Sequence, residues 1–422
     1  MTNINIKILK EEFINIKKSN TPVTIKLIYI FSILIPILLI TGPFLADLSV
    51  CIIGTLFIFF TINQKGKNIQ PYKKYIYFFL ILYLILVTSA INSSFYQHSL
   101  KIFFYIRFFI YFLAIVFLIN KFKKYQFVFF QILKILLYIL IFDSFFQYLF
   151  GFNILGISPI TMEQGIAVTS FFGDEKILGS YLIRIFPIFI YLYYLNKKKK
   201  VNLTYINFLS IVIIIITILS YERIATFFSL ITFFFLFIFN YINYKKKKFF
   251  IILILILLGI FSTNFNNSHN RIIHTKQQLV PNEHLVFFSS THQNYAISSL
   301  EIFKKNILFG SGPKTFLLAC EDIGFSWKKD ECNIHPHNIA LQVLSEVGLL
   351  GIIFYLYLLI LFVKIFIRFL IKNDERVFLI ISIFIFLNPF FPNGNLFNNW
   401  FNIINWIAIP FIFARRNDYK LY

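Results

Sequence analysis

Residues 346–371 read EVGLLGIIFYLYLLILFVKIFIRFLI, an almost unbroken apolar run long enough to cross the roughly 30 Å hydrocarbon core of a bilayer as one helix. Comparable runs recur along the whole chain. They are expected from about Ile25 to Ile40, Leu45 to Phe60, Tyr75 to Asn92, Phe103 to Ile119, Phe127 to Phe150, Leu178 to Leu195, Leu203 to Leu219, Thr226 to Ile242, Phe249 to Phe265, Glu346 to Ile371, Val377 to Phe391 and Trp400 to Phe413. With 58% hydrophobic and 20% aromatic residues in 422, the chain reads as an all-α polytopic integral membrane protein of about twelve transmembrane helices.

A formal charge of +22 would suggest nucleic acid for a soluble protein, but the positions of the basic residues argue against such a partner. Lys17-Lys18, Lys65 to Lys74, Lys121 to Lys124, Lys197 to Lys200, Lys245 to Lys248, Lys372 to Arg376 and Arg415-Arg416 fall in every second connection. This alternation predicts that both termini and those segments are cytoplasmic, and that the loops near Thr41, Ser93, Gly151, Tyr221, Asn264 and Pro392 are external. The organisation expected is a cytoplasmic segment 1–24, spans over 25–265, an external cap over 266–337, an interfacial helix with the last spans over 338–414, and a cytoplasmic tail 415–422. The polar, lysine-bearing start does not read as a cleavable leader.

Arginine is scarce, and Arg107, Arg184 and Arg223 all fall toward the external ends of spans, where orientation signals are not needed. A charge in such a place pairs, snorkels or binds something. Partners within reach in sequence are Asp174, Glu175 and Glu222; the alternative is an external anion, because guanidinium presents a fork of donors that matches phosphate oxygens. Asp174 is placed to cap the helix that carries Arg184, while Glu175 could orient Arg184 or handle a proton. Gly179 would allow close helix packing.

The largest external segment, about Asn264 to His337, is expected to form a small helical cap. His269, His274, His284 and His292 lack metal-ligand spacing and read as surface residues, and Phe309-Gly310-Ser311-Gly312-Pro313 reads as a turn, so no metal site is expected. Cys320 and Cys332 are the two cysteines outside the spans. A disulfide between them in an oxidising compartment would contribute about 3 kcal/mol and pin the approach to His335. Cys51, inside a span, reads as packing.

After Cys332 comes His335-Pro336-His337-Asn338. Pro336 suits the first position of a helix, on which Asn338, Gln342, Ser345 and Glu346 share one face and Ile339, Ala340, Val343, Leu344 and Val347 the other. This predicts a short amphipathic helix at the membrane interface, with Gly348 and Gly351 permitting a bend. The histidines can serve as interfacial hydrogen-bond partners. Alternatively, neutral His337 is a candidate general base near neutral pH, with His335 orienting it or contacting phosphate.

His335-Pro336-His337-Asn338 with Leu341, Glu346, Gly348 and Gly351 resembles the signature of the O-antigen ligase and O-antigen polymerase superfamily. Tyr221-Glu222-Arg223, Gly173 to Gly179 and Phe309-Gly310-Ser311-Gly312 look like its other landmarks, and the likeness extends from about Phe103 onward. The resemblance implies a C-type glycosyltransferase-like fold with one large late periplasmic loop, in the bacterial inner membrane with its active site facing the periplasm. It implies a metal-independent, cofactor-free glycosyltransferase that uses an undecaprenyl-diphosphate-linked glycan as donor and lipid A core or another glycan as acceptor. On that pattern His337 is catalytic. Arg223 matches the family's arginine before a span, and Arg184, Arg107 and His335 join it as diphosphate-binding residues, with Asn338, Glu346, Asp174 and Glu175 in support. An O-antigen polymerase or a protein O-oligosaccharyltransferase would use the same donor. A transporter of lipid-linked sugars is the alternative outside enzymes; it would show repeats or spans broken near the midplane.

Overall fold

The computed structural model describes residues 20–162, 165–197, 201–244, 290–324 and 332–413, with isolated positions between 10 and 16. The protein is a multi-pass helical membrane protein. Its apolar helices are α1 (Val23–Leu38), α2 (Pro43–Asn63), α3 (Lys73–Ile91), α4 (Ile106–Lys121), α5 (Tyr125–Phe150), α6 (Leu178–Lys197), α7 (Leu203–Leu219) and α8 (Arg223–Tyr244). Two helices outside the apolar set follow, α9 (Ser290–Lys305) and α10 (Phe316–Asp322), and then α11 (Ile339–Ile371), α12 (Val377–Leu387) and α13 (Asn399–Phe413). Seven helices among the described residues are long and apolar enough to cross a membrane, and four shorter apolar ones accompany them. The expected span Phe249 to Phe265, the residues His269, His274 and His284, and the parts of the expected cap over 266–289 and 325–331 lie outside the described residues.

Helix ends differ from expectation where local chemistry intervenes. α12 stops at Leu387 rather than near Phe391, because Asn388 is extended (ψ 134°) ahead of Pro389, which restricts its predecessor and lacks an N–H. α11 begins at Ile339, seven residues before the expected span. Cys51, read as packing, is exposed on the outer surface of α2.

α6 is the centre of the bundle, buried on all sides from Leu178 to Leu195 apart from Ser180, and packed against α5, α7, α8, α12 and α13. α11 is peripheral, and Leu349, Ile353, Leu356, Ile360, Val363 and Ile367 point outward. In a bilayer those side chains face lipid, so helix association depends on close packing and internal polar contacts rather than on water exclusion. Gly179 provides one such contact. A Cβ there would come within 2.8 Å of Ala225 Cβ and Ser220 Oγ.

Polar residues gather at one end. The loop after α5 carries a small hairpin, β1 (Ile160–Met162) against β2 (Gly165–Ala167). It is stitched down by buried Asp143, which accepts from Ile154 N–H at 2.9 Å and from the Ser170 hydroxyl, and by Gln147 Oε1, which accepts from the N–H groups of Thr169 and Ser170.

The decisive local feature is a break in α11. Gly348 leaves the helical region (φ 73°, ψ −158°), so the carbonyls and amides on either side lose their partners within the helix. Residues 307–312 fill the gap: Ser311 N–H donates to Ser345 O and Gly312 N–H to Glu346 O, both at 2.9 Å, while Leu349 N–H donates to Ile307 O at 2.7 Å. The Ser89 hydroxyl adds bonds to Phe309 O and Glu346 O. Thus the glycine-rich stretch read as a simple turn is a backbone splint. It satisfies groups that would otherwise each cost several kcal/mol inside a membrane.

Candidate functional site

The segment around His337 is fastened at both ends. Asn338 is extended (φ −140°, ψ 127°); its Oδ1 accepts from Leu341 N–H at 3.1 Å and its Nδ2 donates to Pro389 O at 2.8 Å. The N-cap is therefore Asn338, and Pro336 lies ahead of the helix instead of at its first position, since a side-chain acceptor satisfies an amide that proline leaves bare. Before it, buried Cys320 of α10 is joined by a disulfide to Cys332, with Cα atoms 5.8 Å apart.

His337 itself has φ +53°, a conformation that is strained for any side chain but glycine, and its carbonyl accepts from Asn393 N–H at 2.7 Å. Its ring centroid lies 4.1 Å from that of His335, 5.6 Å from Tyr295 and 6.1 Å from His292. His292, read as a surface residue, is thus half-buried in the cluster. Burial, then the neighbouring His292, hold His337 below the ordinary imidazole range; burial, then His337, push His335 down to about 4. Both rings are favoured in the neutral form at pH 7. His335 Nε2 is buried and has no hydrogen-bond partner among the described residues.

Arg184 reaches the same segment. It is 3% exposed, and its Nη2 donates at 2.9 Å to Oδ1 of Asn393, the residue whose backbone holds His337. Nη1 donates to Ser180 O, the guanidinium lies 4.9 Å from the Phe401 ring, and Nε has no hydrogen-bond partner among the described residues. One asparagine therefore joins a buried cation to the candidate base, although 209 positions separate Arg184 from Asn393.

The other arginines are placed differently. Arg107 is engaged by Asp47 through Nε at 2.9 Å and Nη2 at 3.3 Å, and Asp47 also accepts from Asn399 Nδ2. Its fork is turned on a carboxylate of the protein, and that partner is none of those expected. Arg223 is the exposed first residue of α8. Beside it, Glu222 accepts from Gly179 N–H at 2.6 Å and from the N–H and hydroxyl of Ser180 at 2.9 and 2.6 Å. The cap of α6 is thus Glu222, whereas Asp174 and Glu175 are exposed. A folded turn brings a carboxylate from the neighbouring helix closer to those amides than the preceding loop does. Glu222→Ala should lower the melting point of the detergent-solubilised protein, reflecting about 0.5–2 kcal/mol for a lost cap. An unchanged melting point would contradict this assignment.

The polar face of α11 is internal. Glu346 is fully buried; Oε1 accepts from Phe316 N–H at 2.8 Å and Oε2 from Gln342 Nε2 at 2.9 Å. Gln342 also donates to Asn395 Oδ1 and accepts from Leu396 N–H. The expected interfacial amphipathic helix is accordingly corrected: its polar side meets a loop of the protein, because residues 388–398 cover it. Sequence reading placed an external loop near Pro392 but gave it no part in the site. Its signal was the run of Asn388, Asn393, Asn395, Asn398, Asn399 and Asn402, side chains that both donate and accept. Lys314 was missed as well. It follows the splint at φ +67°, and burial, then the like charges of Arg107 and Lys101, push its ammonium down.

Among the described residues no three His, Cys, Asp or Glu side chains converge as metal ligands would. Beneath the loop an apolar cavity of about 170 Å³ runs between α3, α11 and α13, from Val343, Val347 and Leu396 toward Leu361 and Phe413. The site thus combines neutral imidazoles, a buried guanidinium and an apolar trough.

Residues 208–356, from within α7 to the first half of α11, match the family model described as O-antigen ligase. No curated protein matches the chain.

Proposed function

We propose that this chain, whose residues 208–356 match the O-antigen ligase family model, transfers a glycan from undecaprenyl diphosphate to a sugar hydroxyl of lipid A core at the periplasmic face of the inner membrane. The observation that carries the reading is the path Arg184–Asn393–His337, in which one loop residue ties a buried cation of α6 to the segment of the candidate base. His337 takes the proton of the attacking hydroxyl. The hydroxyl oxygen bonds to the anomeric carbon, the bond from that carbon to the phosphate oxygen breaks, and polyprenyl diphosphate leaves. Charge growing on the leaving diphosphate is met by Arg184, whose Nε has no hydrogen-bond partner among the described residues, and by exposed Arg223. Arg107, with Asp47 in its fork, supports the wall near Asn399, and His335 presents Nε2 toward the same substrate oxygens. Asn338 and Glu346 position the histidine segment and the splint, and exposed Asp174 and Glu175 support the site from the loop ahead of α6. No metal or cofactor enters these steps.

The apolar cavity supports a lipid-linked donor, since a prenyl chain entering from the bilayer would meet a lining made largely of Leu, Ile, Val and Phe side chains. A single direct displacement gives inversion at the donor anomeric carbon.

Deletion of the gene tests the acceptor. Surface lipopolysaccharide reduced to core, with long lipid-linked chains accumulating, is the expected result. Core bearing a single repeat would make the chain a polymerase, transfer to protein would make it an O-oligosaccharyltransferase, and an unchanged ladder would contradict each of these readings.

A further inference from the structure

We propose that Asn333 sets the tautomer of His337, keeping the proton on Nδ1 and holding the Nε2 lone pair until an acceptor hydroxyl takes its place. The proposal rests on the reading of His337 as the base.

The geometry around Asn333 leaves one orientation for its amide. Oδ1 accepts from the N–H of Ile334 at 2.6 Å. If oxygen and nitrogen were exchanged, two donors would face each other at that distance, so the amide oxygen is on the Ile334 side. The NH₂ group then points the other way, 3.1 Å from His337 Nε2 and 3.3 Å from the Tyr295 hydroxyl. Its two hydrogens suit two acceptors. A ring nitrogen that meets an N–H donor must offer its lone pair, so Nε2 is the unprotonated nitrogen and Nδ1 carries the hydrogen. The direction of the His337 shift agrees, because burial already favours the neutral ring.

Asn333 is not a loose partner. It follows Cys332, whose disulfide ties it to buried Cys320, and Tyr295, 5% exposed on α9, closes its other side. Among the described residues, the groups facing the His337 ring are therefore His335 from its own segment, His292 and Tyr295 from α9, and Asn333. None is a carboxylate. A carboxylate at the place of Asn333 would draw a hydrogen onto Nε2 and remove the lone pair needed for the acceptor. The amide instead keeps Nε2 a base and leaves by a bond that one hydroxyl can replace. Asn333 is thus a positioning residue that stands where the acceptor hydroxyl will be.

The test is nitrogen NMR of histidine-labelled protein in nanodiscs at pH 8, with the His337 signals identified by their loss in His337→Gln. The wild type should show Nδ1 protonated and Nε2 unprotonated. Asn333→Asp should reverse that pattern, reduce kcat at least tenfold and move the acid limb of kcat/KM upward by about one pH unit, the direction expected of an opposite charge. Asn333→Ala, which removes the donor without adding charge, should give a mixture of tautomers and retain most of kcat. A wild-type His337 protonated on Nε2, or an Asn333→Asp protein with unchanged tautomer and pH profile, would overturn the proposal. The wild-type spectrum does not depend on any variant folding. If it shows Nδ1–H while His337→Ala keeps full turnover, the base reading fails and the tautomer assignment stands; the opposite pair of results removes only the role of Asn333.

Discussion

His337→Ala should lose 10²- to 10⁴-fold in transfer rate, the contribution typical of a positioned general base, while the protein inserts and purifies as the wild type does. The expectation follows from placement. The ring is joined through its own backbone carbonyl to Asn393, and through Asn393 to Arg184, so removing the imidazole deletes the proton acceptor and leaves that scaffold in place. The pH profile carries a second, signed expectation. A general base acts when neutral, so kcat/KM is full above its pKa and falls as pH drops through it. Burial and His292 hold His337 below the ordinary value, and His335 titrates only at about 4. The acid limb should therefore lie below pH 6.5, the ordinary imidazole value, and His337→Ala should abolish it. The same shifts act on stability. Both rings bind protons more readily unfolded than folded, so their contribution is complete above pH 6.5 and is lost as pH falls toward their folded values.

The largest structural effect is expected from Gly348→Val. At φ 73° a β-branched residue is strained by about 1–3 kcal/mol before any contact is counted. The added Cβ would also lie 2.5 Å from Gly310 N and 2.7 Å from Leu308 C, both backbone atoms that cannot rotate away. Relief requires the splint to withdraw from the break, releasing the bonds of Ser311, Gly312 and Leu349. Against a typical net stability of about 5–15 kcal/mol, that combination should leave little folded protein, read as loss of the monodisperse peak in detergent. Gly54→Ala provides the contrast. Its Cβ would meet nothing closer than Ile110 at 3.8 Å, and alanine favours the helix by about 0.8–1 kcal/mol. It should melt no lower than the wild type. A folded, monodisperse Gly348→Val protein would show that the splint is dispensable.

Much of this architecture was legible in residue order because membranes impose a simple rule: a long apolar run must satisfy its backbone within itself. The apolar helices, the lysines at alternate connections, the bend at Gly348 and the proximity of Cys320 to Cys332 all follow from local pattern. What could not be read were partnerships across the chain. Periodicity placed Asn338, Gln342 and Glu346 on one polar face, but no periodicity says whether water or a loop 53 residues away covers that face. Likewise, Asp174 had the right residue type to cap α6, yet Glu222 reaches the amides, and Asp47 takes Arg107 across 60 positions. Arg184 was legible as a charge near the end of a span. Its tie to Asn393 was not.

The central claim is best tested with purified protein in nanodiscs, a polyprenyl-diphosphate glycan and a core acceptor, following release of polyprenyl diphosphate together with formation of the glycosylated acceptor. Stoichiometric release and transfer by the wild type and inversion at the donor carbon are expected, with both products formed at least a hundredfold more slowly by His337→Ala. Transfer at the wild-type rate by His337→Ala, or retention of configuration in the product, would contradict the claim.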